Sequence, residues 1–385
     1  MSRRESEAPT PKPESGTPAE NGPVRTGPAQ VTATALGSWP GSDPMEAVRI
    51  TRGELGSPHL PYLVELPDRG VGADTIGRTA AMLVELPVDV QPFGWRLVDR
   101  AGADYRRAVA MLSSDVNMLA DVIGTEEQPG AELKIQLCGP WTLAASLHLH
   151  YGERALLDSG ARRELAESLA AGMADHLAKV AAAAPNARIT VQLDEPEINR
   201  VLAGSIPTAS GYRTLRAISK TEVARGWELV LAAARAAGAA EVVLAVPGAG
   251  SSLGLAFSTG ADAVALPVGE LGTQDWEQLA TAIEAGRKVW AGIAAAQEPG
   301  ADAVAGKRRG AQGSAPGRDQ GAPGVSRLVQ SVTQPWRGLG LPVKSLSALR
   351  LTPSTGLAGY APSTARAALL RLTDTARALN DVMAE

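Results

Sequence analysis

The strongest constraint in this sequence is an alternation. From residue 31 to the C-terminus, short apolar β-rich runs take turns with longer amphipathic runs, the pattern of a parallel α/β fold in which each strand feeds a helix that packs back on the sheet. The strand candidates are residues 31–36, 62–66, 133–138, 189–193, 242–246, 263–266, 289–293 and 343–349. They number about eight, the strand count of a closed (β/α)8 TIM barrel. Helical periodicity falls between them, at residues 105–123, 162–184, 220–237, 276–285 and 363–382. Many of these runs are rich in alanine, which combines high helix propensity with a side chain small enough for close approach to a sheet. Residues 93–98 read as an extra hairpin before the third strand. An open doubly wound sheet shares the alternation, but no Gly-rich dinucleotide fingerprint follows an early strand. A barrel of roughly 250 residues plus insertions fits within the 385 present.

Two segments fall outside this pattern. Residues 1–30 are rich in Pro, Glu, Ser, Thr and Gly and carry almost no large apolar side chain, so they are expected to form a disordered tail. Residues 298–324 repeat that composition around Lys307, Arg308 and Arg309. They read as a low-complexity, disordered insertion in a late βα loop, where a barrel tolerates length. The basic triplet there is either a solvated loop or a partner contact. Residues 31–385 are then one barrel domain.

Charge narrows the function classes. The 37 Lys and Arg nearly balance 41 Asp and Glu, which gives no basic face for nucleic acid or anionic lipid. No apolar run reaches the length of a membrane helix, and the N-terminus lacks the apolar region of a secretory signal. One cysteine, Cys138, rules out an intrachain disulfide framework. The expected location is the cytoplasm and the expected partner a small molecule, with no nucleic acid and no membrane.

In such a barrel the active site is built at the C-terminal ends of the strands. Asp194 and Glu195 stand directly beyond the apolar run 189–193 and are followed by Pro196, which donates no ladder bond and turns the chain. Acids at a strand end bind an amine, share a proton, or cap the next helix. Ser38 follows Gly37 at the end of the first strand, where backbone amides can approach an anion. Trp141 offers a flat surface for stacking or simply packs. The glycine-rich stretch 247–252 is a weak anion-loop candidate without the ending of a P-loop.

Four segments in order carry a family resemblance: Leu36-Gly37-Ser38-Trp39-Pro40, Leu137-Cys138-Gly139-Pro140-Trp141-Thr142, Gln192-Leu193-Asp194-Glu195-Pro196 and Thr352-Pro353-Ser354-Thr355-Gly356-Leu357. Together they resemble the C-terminal barrel of cobalamin-independent methionine synthase, within the superfamily that includes uroporphyrinogen decarboxylase. The resemblance implies methyl transfer from a reduced folate to a homocysteine-like thiol, in methionine biosynthesis. It implies a substrate contact at Asp194, a carboxylate contact at Ser38 and an amino-group contact at Glu65; Glu195, beside Asp194, and Trp141, close to where the family has a tryptophan for the pterin, are two further substrate-binding candidates. It also implies a thiolate-activating zinc. The positions for its ligands hold Ala245, Val246, Pro247 and Gly248, then Pro267, then Thr355, none of which binds zinc in that manner. Cys138, His59, His148, His150 and His176 do not offer a replacement set: His148 and His150 lie two apart in a segment expected to be helical, and so face different sides. No bound cofactor is therefore expected. Two alternatives stand beside the family activity. One is a metal-independent barrel enzyme of the decarboxylase type, with Arg69 and Arg78 as anion-binding candidates. The other is a non-catalytic binder of an amino acid or folate.

Overall fold

The computed structural model describes residues 29–296 and 321–385. Most of the two segments expected to be disordered, 1–30 and 298–324, lies outside the described residues. β1 (Thr32–Ala33) leads through α1 (Pro44–Glu54) and α2 (Thr75–Ala80) to a hairpin of β2 (Val88–Gln91) and β3 (Gly94–Leu97). Strands and helices then alternate: α3 (Ala103–Thr125), β4 (Glu132–Cys138), α4 (Pro140–Ser146), α5 (Ser159–Ala183), β5 (Arg188–Asp194), α6 (Ile198–Ala203), α7 (Lys220–Ala236), β6 (Glu241–Ala245) and α8 (Leu253–Ser258). They continue with β7 (Ala263–Pro267), α9 (Thr273–Glu284), β8 (Lys288–Ile293), α10 (Val325–Gly338), β9 (Leu349–Pro353) and α11 (Pro362–Ala384).

The main sheet has seven parallel strands in the order β1-β9-β8-β7-β6-β5-β4. Residues 60–66 join its two ends. Tyr62 bridges in parallel to Lys134 on β4, and Glu65 bridges in parallel to Ser38 just beyond β1. Leu63 N donates to Lys134 O (2.8 Å), Lys134 N to Pro61 O (2.9 Å) and Glu65 N to Gly37 O (3.0 Å). Pro61 has no N–H to give to the ladder, which fits isolated bridges in place of a continuous strand. The fold is thus TIM-barrel-like, as the alternation predicts, with the β2–β3 hairpin as the expected addition.

Two local expectations are corrected. The sequence pattern puts the eighth strand at residues 343–349, but Val343–Ala348 is a 3-10 turn and the strand starts at Leu349. Pro342 precedes that turn with φ -58° and ψ 137°, and Ser345 Oγ ties it by donating to Pro342 O (2.6 Å). The segment carrying His148 and His150 is not helical: α4 ends at Ser146, and His148 forms bridges to Arg96 and Arg154.

Side-chain parity divides the barrel into two cores. On β4, Leu133, Ile135 and Leu137 belong to the large cluster packed beneath the helices, as do Ile189, Val191 and Leu193 on β5. A small second cluster of Leu60, Val243, Ala263, Ala265 and Trp290 fills part of the barrel interior. The β4 and β5 positions of opposite parity, Lys134, Gln136, Thr190 and Gln192, are polar and buried. A barrel strand is covered on both faces, so polar side chains at this spacing need partners inside the barrel.

His176 on α5 is buried and its Nε2 has no hydrogen-bond partner. Burial, with Arg78 and Lys179 nearby, pulls its imidazole down from 6.5 to about 3. The folded state therefore excludes a proton that the unfolded chain accepts. Its stabilising contribution is full above the unfolded value and is lost as pH falls from 6.5 toward 3, at about 1.4 kcal/mol per pKa unit. Thermal melts at pH 7, 6 and 5 are expected to show a steeper fall for the wild type than for His176→Leu. Parallel slopes would remove His176 from the acid response.

Candidate active site

A cavity of about 620 Å³ opens at the C-terminal ends of the strands. Ser38, Glu65 and Asp194 line it together, as do Cys138, Thr75 and Thr352. The opposite wall is apolar, with Val246, Pro247, Leu266, Pro267 and Pro353. Four carboxylates reach its described lining, Glu65, Asp194, Glu197 and Glu270. Of these Glu197 is neutralised by Arg200 at 2.6 Å.

Each of the three sequence-predicted residues is set by its strand end. Gly37 has φ +139°, and a Cβ there would run into the Gln136 side chain, so only glycine brings the chain to Ser38 along this path. Glu65 accepts from Thr75 Oγ1 (2.7 Å) and from Gln136 Nε2 (3.1 Å). It is 2 % exposed and pairs with neither Arg69 nor Arg78. Those arginines instead share Asp115 of α3, Arg69 at 2.7 Å and Arg78 closer still. Asp194 faces Cys138 across the β4–β5 register and accepts from Gln192 Nε2 at 2.6 Å. It is half-buried, open only toward the cavity. Burial pushes its carboxyl up to about 7, against the opposing pull of Lys134 and the Gln192 bond.

The structure does not bring Glu195 or Trp141 to the cavity. Glu195 takes the opposite parity to Asp194 and is fully buried between barrel and helices. Its carboxylate accepts from the backbone N–H groups of Trp141 (3.0 Å) and Thr142 (2.7 Å) and from the Trp227 indole (2.9 Å). It therefore caps α4, whose own N-cap is Gly139 and has no side chain to do so. Trp141 is 5 % exposed and gives its indole N–H to Val223 O (3.0 Å), with Gly226 against the ring. It offers no open face for a pterin. The 247–252 loop is held by Asn199, which donates to Ala249 O (2.6 Å) and accepts from Ser252 N (3.2 Å).

The implied zinc does not fit the donors present. Where the resemblance puts ligands, the cavity wall is Ala245, Val246, Pro247 and Pro267. Thr355 Oγ1 lies 3.5 Å from the Tyr360 hydroxyl. Among the described residues, no group of three or more His, Cys, Asp or Glu is placed to hold a metal ion. Burial, with Glu195 and Asp194 adding to it, pushes the Cys138 thiol well above its ordinary value, and a thiol is a poor ligand and nucleophile.

Sequence reasoning missed Lys134, Gln136 and Gln192, which support the cavity from below. Lys134 Nζ donates to Gln192 Oε1 (2.8 Å), Leu36 O (3.0 Å) and Gln136 Oε1 (3.2 Å). The signal is present: both strands alternate apolar and polar residues in a fold whose strands are covered on both faces.

No family profile matches the sequence, and no curated protein matches it. Solved structures do match in shape. A B12-independent methionine synthase from Shewanella sp. W3-18-1, in complex with selenomethionine, aligns with TM-score 0.55 and 11% identity over 92% of this chain and 99% of that one. GH26A from Muricauda sp. MAR_2010_75 aligns with TM-score 0.39 and 10% identity over 88% and 89% of the two chains. At this identity the first likeness establishes a shared barrel fold. Among the described residues, no helix is long and apolar enough to cross a membrane.

Proposed function

We propose that the cavity binds a small amine-bearing ligand of the amino-acid class, with its ammonium between Glu65 and Asp194 and its carboxylate toward Ser38. The observation that carries this reading is the pair of carboxylates in the cavity lining, both held by fixed neutral donors, Asp194 half-buried and Glu65 almost wholly so. Carboxylates presented this way favour a cation, and the apolar wall suits an aliphatic or thioether side chain. The methionine synthase of like fold binds selenomethionine, itself an α-amino acid, which supports the same class here. In this reading the chain is a methionine-synthase-like barrel that keeps amino-acid recognition. Among the described residues, zinc-dependent methyl transfer from a reduced folate finds no donor set for the metal, and Trp141 has no open face for the pterin.

A decarboxylase-type enzyme acting on a polyanion is less well supported, because Arg69 and Arg78 are consumed by Asp115. The placing of Asp194 in the cavity lining, where burial raises its carboxyl, favours a metal-independent enzyme of another kind. A carboxyl that titrates at about 7 is matched to proton transfer at neutral pH, so Asp194 is suited to hold or take a proton on a bound amino acid.

Isothermal calorimetry with L-methionine, L-homocysteine and 4-(methylthio)butanoate separates these ideas. The two amino acids are expected to bind and the des-amino acid to bind at least tenfold more weakly. Equal affinity for all three would sink the ammonium contact. Affinity for L-methionine is also expected to rise from pH 6 to pH 8, as Asp194 loses its proton through about 7 and becomes the anion that the ammonium needs.

A further inference from the structure

The two anchor carboxylates are joined beneath the cavity floor by one chain of buried side chains. Gln136 reaches Glu65 through its Nε2, and Gln192 reaches Asp194 in the same way. Both glutamines turn their Oε1 atoms back to a single ammonium, Lys134 Nζ. Lys134 is fully buried and does not line the cavity, so a ligand does not touch it. An ammonium has three donors and no acceptor, and here it meets three carbonyl oxygens. That pattern orients both amides. With each oxygen committed to Lys134, each NH2 faces its carboxylate and one backbone carbonyl, Leu63 O for Gln136 (2.7 Å) and Leu36 O for Gln192 (3.0 Å).

We infer that Lys134 is a positioning residue that sets the charge class of the ligand: through Gln136 and Gln192 it aims Glu65 and Asp194 into the cavity, and it cancels one of their two charges so that the site accepts a monocation. The inference rests on the proposed amine ligand and deepens it. On the buried floor, ionised Glu65 and Asp194 contribute two negative charges and Lys134 one positive, which leaves a single negative charge to be met by the ligand; of the other two carboxylates in the described lining, Glu197 is paired with Arg200 and Glu270 is exposed to solvent. Other groups bear on the same balance. The Tyr62 ring lies 5.2 Å from Nζ, Arg350 lower in the barrel disfavours the ammonium, and Glu195 from the outer face disfavours the Asp194 anion. Burial pulls Lys134 down to about 7, and the charges of Asp194 and then Glu65 are what support it. Without the lysine each amide oxygen loses its described partner and the NH2 is left to its backbone carbonyl and carboxylate alone, and two carboxylates facing one enclosed space retain a proton to higher pH.

The test is a carbon-13 carboxyl titration of Asp194 and Glu65 by NMR, in the full ligand-free chain, comparing wild type with Lys134→Met. The Asp194 midpoint is expected to move up by about one unit or more. An unmoved midpoint overturns the inference. Should Lys134→Met fail to fold, Gln136→Leu and Gln192→Leu each cut one arm, and are expected to move Glu65 and Asp194 respectively. Folded variants with both midpoints unmoved overturn it equally.

Calorimetry then reads the charge class with two probes, 3-(methylthio)propylamine as a monocation and putrescine as a dication. Lys134→Met is expected to raise the preference for putrescine over the monoamine at least tenfold, and an unchanged ratio refutes the assigned role. The two readings fail separately. A wild type that binds no amine removes the proposed ligand while the titration still tests the positioning role. A wild type that binds methionine beside an equally tight Lys134→Met variant removes only that role.

Discussion

Asp194→Asn is expected to weaken L-methionine binding by about 100-fold or more, while the protein stays folded. Asp194 is the last residue of β5, at the parity that faces the barrel interior, and its side chain's one described hydrogen bond comes from Gln192 at 2.6 Å. Asparagine keeps an oxygen for that bond and nearly the same volume, so the scaffold loses little. What disappears is the charge opposite the ligand's ammonium, and loss of one partner of a desolvated charge pair costs roughly 2–5 kcal/mol. A tenfold change is about 1.4 kcal/mol, which gives the predicted magnitude.

The same substitution tests pH dependence. Burial raises the folded Asp194 carboxyl from 3.8 to about 7, so the folded state holds this proton more tightly than the unfolded chain. The stability linked to that proton is therefore present below the unfolded value and is lost as pH rises through about 7. The amide of the Asp194→Asn variant carries no such proton. Between pH 6 and pH 8 the variant should therefore lose less of its melting temperature than the wild type does, and its residual affinity should not rise over that interval. Calorimetry across pH 6 to 8 decides the case. Wild-type affinity in the variant would take Asp194 out of the binding site.

Neighbouring residues show how far the sequence reaches. The β-α alternation locates most strands to within a residue, because β4 to β8 are apolar on the helix-facing side and three of them end at or beside a Gly, Pro or acidic residue, Gly139, Asp194 and Pro267. It misplaces the last strand, where Val343, Leu346 and Leu349 recur every three residues, the period of the 3-10 turn that forms there and not the alternation of a strand. Asp194 is legible because it closes β5 in a fold whose chemistry sits at strand ends, Ser38 because it follows Gly37 a few residues beyond β1, and Glu65 through the family resemblance. Glu195 joins them in the sequence reading on adjacency alone, although side chains in a strand alternate and the two acids must part. Lys134 and the glutamines are invisible as a group. Their partnership spans β4, β5 and the stretch at 60–66, and exists only once the barrel closes.

That parting of the two acids gives the second large prediction. Glu195→Ala is expected to destabilise the protein by roughly 3–5 kcal/mol, the cost of removing one side of a buried charged arrangement and stranding its donors. Two backbone N–H groups in the first turn of α4 and the Trp227 indole of α7 all give their hydrogens to this one carboxylate. None of the three has another hydrogen-bond partner among the described residues. Burial pushes the Glu195 carboxyl up, and these donors push it back, so the ionised form depends on all of them. The packing has no slack: a Cβ on Gly139 would collide with the carboxylate, which ties the glycine before Pro140 to the acid after Asp194. Glu195→Gln separates charge from shape, because its single oxygen serves at most part of the set and its NH2 faces other donors. It should also destabilise, by less than alanine. Urea unfolding of both variants beside Asp194→Asn completes the test. Glu195 variants are expected to lose stability, with ligand affinity falling only as far as the folded fraction does. A Glu195→Ala protein as stable as the wild type would mean that the cap on α4 is dispensable, and the acid would return to the list of ligand contacts.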